Sequence, residues 1–345
     1  MDDPQNLAAR LVDALVLCDG RPDLRPVHAI GIGATGVFTA AGVASNYCVA
    51  EHFRSDIDPI PVSVRFSNGS GSASEHDGWS DVRGMATRFH LPSGAATDLV
   101  AMTLPEFFTS TPEAFLDFAI AAKPAPVKVE SPWRKILDMV QLMQPLPNPY
   151  PGQKTSPVTG AIGYADRNAR SQLAVMQAAN IGAPVSYVRA TYHAVHTFVI
   201  RAPDGARRWV RFAWRPVAGV LNADPKKPVD KYLKRDLRER IAREPARFTL
   251  MMTIAETGDD VNDSSRPWPL HRMRVVMGEL TLDKVPEDQI THCERLSFNP
   301  WLLVDGVEPS ADPVLSARRD AYQISSKRRG GAACPFSGSS ADGER

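Results

Sequence analysis

Residues 62–91 read VSVRFSNGSGSASEHDGWSDVRGMATRFHL. In Val62–Phe66 and again in Met85–Leu91, apolar side chains alternate with polar or small ones, the period of a half-buried strand. The linker between them is rich in Gly and Ser and carries no helical period. A parallel pair needs a long crossover, usually a helix, so these strands are expected to pair antiparallel. Thr197–Ile200, Trp209–Trp214, Phe248–Ile254 and Val275–Leu282 repeat the pattern, again without helices of crossover length between them. Val27–Ala41, rich in Gly, Ala and β-branched residues, reads as one more strand. Helical periods cover Ala165–Asn180, Val229–Arg243 and Pro313–Tyr322, the last starting behind Asp312 as N-cap with Pro in its first turn. The expectation is an α+β chain built on one antiparallel β-barrel with surrounding helices.

The chain has 345 residues, 43% hydrophobic and 23% charged, enough for a large core. We expect a single core domain over residues 1–330, opened by an amphipathic helix within 1–20. Many of the 29 prolines fall in 105–160, read as loop and short helix wrapped over the core. The Gly/Ser-rich tail 331–345 is expected to be disordered. With 40 basic and 39 acidic residues, the net charge of +1 attracts neither nucleic acid nor an anionic membrane. No apolar run approaches the ~18 residues of a membrane span. The acidic N-terminus lacks a basic leader region, so a cytoplasmic location is expected. Cys18, Cys48, Cys293 and Cys334 form no Cys-x-x-Cys pair, which disfavours a zinc site or redox dithiol.

Three constellations carry chemistry. His28 heads a stretch of tiny residues, Ala29, Gly31, Gly33 and Gly36. It is either a packed core histidine or a histidine facing a flat ligand that needs the space. Arg65 stands on a strand before the Gly/Ser run 67–72, either an ordinary turn or an anion cradle. Arg318 and Tyr322 are four apart on a helix and share a face. They are either a solvated pair or a device, because a cation at hydrogen-bonding distance favours phenolate over phenol. Phenolate is a hard anionic ligand for ferric iron, and Tyr is a haem axial ligand type.

Taken in order, these segments resemble the haem catalase superfamily. The resemblance runs through Arg25-x-Val27-His28-Ala29-x-Gly31-x-Gly33, Val64-Arg65-Phe66-Ser67, Asp81-x-Arg83-Gly84 and Asp98-Leu99-Val100. It continues through Pro105-x-Phe107-Phe108, His196-Thr197-Phe198, Trp268-Pro269 and Phe298-Asn299-Pro300. It closes with Gly306-Val307-Glu308-Pro309-Ser310-x-Asp312 and Arg318-x-x-x-Tyr322. The resemblance implies haem b (iron protoporphyrin IX) buried between the barrel and the C-terminal helix. Tyr322 would be the iron ligand, with Arg318 keeping it anionic. His28 would be the distal acid/base and Ser67 its orienting neighbour. Arg25, Arg65 and Arg329 would hold the propionates, Phe115 would lie against the haem, and Asp81 would line the peroxide channel.

The departures from that family shape the expected activity. Catalases carry Gly-Asn-Asn-Thr-Pro where this chain has Ala101-Met102-Thr103-Leu104-Pro105. The asparagine that holds a second peroxide therefore aligns with Met102, whose thioether donates no hydrogen bond. Thr103 could substitute only after a backbone shift. The valine that narrows the channel aligns with Gly69, which implies a wider mouth. The chain is most similar to the small catalase-related peroxidases. The resemblance then implies a haem peroxidase that reduces organic hydroperoxides and hydrogen peroxide through a ferryl intermediate. Its partners would be the peroxide and a small one-electron donor, with a homodimer left open. A true catalase, a fatty-acid hydroperoxide isomerase and a non-catalytic haem carrier or sensor are the alternatives.

Overall fold

A computed structural model describes residues 4–16, 24–69, 76–122 and 160–330. Eight strands form the barrel: β1 (Gly31–Ala40), β2 (Ile60–Asn68), β3 (Arg83–His90), β4 (Ala96–Met102), β5 (Tyr192–Arg201), β6 (Arg207–Pro216), β7 (Ala246–Ile254) and β8 (Arg274–Lys284). All pairings are antiparallel, in the order β4-β3-β2-β1-β8-β7-β6-β5, and β4 meets β5 to close the ring. That closure is one bridge, Met102 to His193. Beyond it β5 pairs instead with the short β9 (Val307–Pro309).

Alternation puts Val62, Val64 and Phe66 of β2 inside the barrel, while Arg65 and Ser67 point out. The interior is filled by large side chains. Phe38 meets Phe89 and Trp214 edge-on at 5.2 and 6.0 Å, a preferred aromatic geometry. His52 is enclosed there too, its ring 4.0 Å from Phe53 and 5.0 Å from Phe89.

The helices pack outside. They are α1 (Pro4–Leu15), the single turn α2 (Ala44–Tyr47), α3 (Pro112–Ala122), α4 (Gly160–Arg167), α5 (Ala169–Asn180), α6 (Leu233–Arg243) and α7 (Pro313–Arg328). Leu11 and Ala14 of α1 pack with Leu116 and Ala119 of α3 and with Ala317 of α7. One wall of a large cavity is thereby made of helices, and the opposite wall is the outer face of β2–β5.

Several expectations shift. β1 starts at Gly31, so His28 lies three residues before the strand. The helix expected over 165–180 breaks at Asn168, whose φ −132°, ψ 89° is not helical. The helix expected at Pro313–Tyr322 continues to Arg328, since no breaker precedes Gly330 (φ 65°). The helix expected from Val229 starts at Leu233, after a residue in the left-handed region, Lys231. Cys48 and Cys293 are buried free thiols. Cys18, Cys334, the tail 331–345 and residues 123–159 of the proline-rich segment lie outside the described residues. Among those that are described, no helix is long and apolar enough to cross a membrane.

Candidate functional site

A cavity of about 450 Å³ lies between the outer face of β2–β5 and helices α1, α3 and α7. Arg25, His28, Arg65, Ser67, Gly69, Asp81, Met102, Phe115, Arg318, Tyr322 and Arg329 all line it. Thr103 does not. Its N–H donates to the Arg83 carbonyl, and its Oγ1 accepts from the Arg83 N–H at 3.0 Å. Thr103 therefore ties two strand ends together and is no channel residue.

His28 is built by its neighbours. Its φ of 57° is left-handed, uncommon outside glycine. The conformation is pinned from both sides: the His28 N–H donates to the Gly69 carbonyl at 3.1 Å, and Arg65 donates to the His28 carbonyl at 2.9 Å. The ring then lies over Gly84, with Nδ1 3.0 Å from Ser67 Oγ. A Cβ on Gly84 would sit 2.7 Å from Ser67 Oγ and 2.8 Å from His28 Nδ1, so glycine is needed there for space. Burial, then the Arg65, Arg318 and Arg25 cations, push the His28 pKa down to about 3. The ring is neutral at pH 7 and available as a proton acceptor.

On α7, Arg318 donates to the Tyr322 oxygen at 2.6 Å. A guanidinium only donates, so the phenolic oxygen is the acceptor in this contact. The other arm of Arg318 meets His196 Nε2 at 2.8 Å, and His196 Nδ1 meets Asp312 Oδ2 at 2.7 Å. Burial outweighs the Asp312 carboxylate and lowers the His196 pKa to about 4. A neutral ring that accepts from Arg318 must carry its proton on Nδ1 and donate it to Asp312. Asp312 Oδ1 meanwhile caps α7, accepting from the Val314 and Leu315 N–H groups at 2.8 and 3.4 Å. One carboxylate thus starts the helix and, through His196, orients Arg318 against Tyr322. The irregular register of β5 between Ala194 and Phe198 lies at His196.

At the third corner Arg25, Arg65 and Arg329 converge on Glu294. Arg25 NH1 and Arg65 Nε donate to its two carboxylate oxygens, and Arg329 donates to its carbonyl at 3.4 Å. Burial opposes ionisation of Glu294, but Arg65 and Arg25 hold its pKa below the usual value. Burial, then Arg65, lowers the Arg25 pKa to about 9. Three cations around one carboxylate leave a surplus of two positive charges. Arg329 Nε is buried and has no hydrogen-bond partner among the described residues.

Two residues expected to line the channel, Asp81 and Gly69, are already engaged. Asp81 Oδ2 accepts from the Gly69 N–H at 2.8 Å and from the buried Arg83 at 2.6 Å. A Cβ at Gly69 would lie 2.4 Å from the Val82 carbonyl oxygen. The missing side chain at Gly69 therefore faces backbone, and its absence does not by itself widen a mouth.

The family model described as Catalase matches residues 21–145 and 148–334. The chain belongs to the catalase family. It is 32% identical over 317 residues to a catalase-related peroxidase of Mycolicibacterium paratuberculosis, covering 90% of each chain. It is 27% identical over 305 residues to a catalase-related peroxidase of Synechococcus elongatus, covering 88% of this chain and 82% of that one. It is also 28% identical over 312 residues to Catalase-2 of Bacillus subtilis, covering 86% of this chain but 42% of that protein. Catalases are haem-dependent oxidoreductases acting on peroxide, and the cavity suits that group. It has a surplus of cations that fits an anionic group, a buried Arg329 Nε with no partner among the described residues, apolar lining from Val100, Phe115 and Phe118, and Tyr322 among its lining residues. Among the described residues no cluster of three His, Cys, Asp or Glu side chains suits a bare metal ion.

Four residues of this catalase-type site carry no role in the sequence reading: Gly84, His196, Glu294 and His193. Gly84 and His196 stand inside motifs of the resemblance, which was the available signal. For Glu294 and His193 nothing local marks them out.

Proposed function

We propose that the protein is a haem b peroxidase that reduces organic hydroperoxides, and hydrogen peroxide, with a small one-electron donor and with little dismutation. The observation that supports this reading is one cavity with the Arg318–Tyr322 hydrogen bond on one side and the His28–Ser67 pair on another. Tyr322 would hold the iron, and Arg25, Arg65 and Arg329 the propionates. Haem, when bound, supplies an iron for the peroxide oxygen and the redox equivalents that break the O–O bond. In the tautomer with the proton on Nδ1, His28 donates to Ser67 Oγ and its Nε2 takes the proton of ROOH. A ring whose pKa is about 3 does not keep that proton; it passes the proton to the leaving oxygen, which departs as the alcohol. Arg318, oriented by His196 and Asp312, stabilises negative charge on the Tyr322 oxygen. Efficient dismutation needs a second peroxide held in line, and Met102 offers that peroxide no donor.

The test is a paired assay on haem-loaded protein, with oxygen evolution from hydrogen peroxide measured beside organic-hydroperoxide turnover with a one-electron donor. Clear peroxidase turnover with little oxygen, lost in His28→Ala, is the expected result. Oxygen evolution that dominates peroxidase turnover would overturn the reading in favour of a true catalase.

A further inference from the structure

The sheet register lines up four residues of the cavity wall. Ser67 pairs with Gly84, Gly84 with Met102, and Met102 with His193. Directly paired residues point to the same face of a sheet, and all four line the cavity. His28 lies over Gly84, so the row reads, from one side, His28 with Ser67, then the Met102 thioether, then the His193 imidazole. Adjacent strands are about 4.8 Å apart. Gly84 and His193 are therefore about 10 Å apart along the wall. The next residue in the row, Ala213, pairs with His193 but does not line the cavity. His193 thus marks the far boundary of the wall that starts at His28.

His193 differs from the other imidazoles that touch this cavity or its surroundings. His28 is partnered by Ser67, and His196 by Arg318 and Asp312. The His193 ring has no hydrogen bond or ion pair among the described residues. Burial, then the Arg215 and Arg274 charges, lowers its pKa to about 4, so at pH 7 it presents one donor and one acceptor.

From this juxtaposition we infer that His193 forms a second recognition point for the substrate, a hydrogen-bonding subsite for a neutral hydroxyl on its organic portion, with Met102 as the apolar floor between that point and His28. The inference rests on the reading of the cavity as a hydroperoxide site. A hydroxyl suits the neutral ring because it too offers one donor and one acceptor. The preferred substrate class is then a hydroperoxide with a hydroxyl remote from the peroxide, longer than hydrogen peroxide and not purely hydrocarbon.

The test compares octyl hydroperoxide with 8-hydroxyoctyl hydroperoxide on the haem-loaded protein, and 1-methoxyoctane with 8-methoxyoctan-1-ol as non-reacting ligands by calorimetry. The wild-type protein is expected to favour the hydroxylated member by about fivefold in KM and in Kd, the worth of one net hydrogen bond. His193→Phe should bring both ratios to one, and His193→Gln, which keeps a donor and an acceptor, should retain most of the preference. A preference that survives His193→Phe, or its absence from the wild-type protein, overturns the inference. If neither hydroperoxide is turned over, the peroxidase reading falls, and the comparison of the two ethers still decides on His193.

Discussion

Gly84→Ala adds one methyl group beneath His28, and its cost follows from the geometry. The added carbon would lie 2.7 Å from Ser67 Oγ and 2.8 Å from His28 Nδ1, where ordinary contacts are about 3.5–4.0 Å. The ring must retreat by roughly 1 Å. Backbone adjustment is blocked, because the His28 N–H and carbonyl are both tied, to Gly69 and Arg65. Overpacking of this kind costs about 1–3 kcal/mol, which a domain with a filled barrel core tolerates. Displacing a catalytic group by about 1 Å costs on the order of 100-fold. Gly84→Ala is therefore expected to fold and bind haem normally while losing about 100-fold in its second-order reaction with a hydroperoxide. Stopped-flow measurement of that reaction, with the haem absorbance and a thermal melt as controls, is the assay. A variant that reacts at the wild-type rate would refute the claim that the space over Gly84 sets the position of His28.

Tyr322→Phe is expected to remove the ferric–tyrosinate absorbance of haem-loaded protein, and an unchanged spectrum would exclude Tyr322 as the ligand. Asp312→Ala removes a helix cap, about 1 kcal/mol, and leaves the His196 Nδ1–H buried without an acceptor, about 1–3 kcal/mol; urea unfolding should show the sum, and Asp312→Asn, a good cap, should lose less. His52 gives a pH signature. Burial holds its pKa at about 3, so the folded state keeps it neutral while the unfolded chain protonates below about 6.5. Its share of stability is complete above that value and is lost as pH falls toward 3, by about 1.4 kcal/mol per pH unit. His52→Leu should flatten the pH dependence of the unfolding free energy from urea titrations by that amount, and an unaltered slope would count against the assignment. Met102→Asn should raise oxygen evolution by placing a donor on the cavity wall, whereas adding Gly69→Val should destabilise the protein, since its Cβ meets the Val82 carbonyl.

What could be read from the chain alone was local in origin. Period-two alternation identified six of the barrel strands because side-chain direction along a strand is set by the backbone within a few residues, and composition marked β1. Asp312, Pro313 and the four-residue step from Arg318 to Tyr322 were legible for the same reason: a helix brings such residues together whatever surrounds it. β4 escaped because Thr97 on its inner face and Asp98 on its outer face are both buried polar residues that interrupt the apolar pattern, and their partners, Leu302, Arg88 and Asn299, come from other segments of the chain. The rest of the site was decided by tertiary structure. The left-handed turn at His28 depends on Gly69 and Arg65, and the orientation of Arg318 depends on His196, 122 residues away. The row Ser67–Gly84–Met102–His193 exists only through the register of four strands. Register depends on which side chains fill the barrel together, and a shift of one residue on any strand would turn its member of the row into the core.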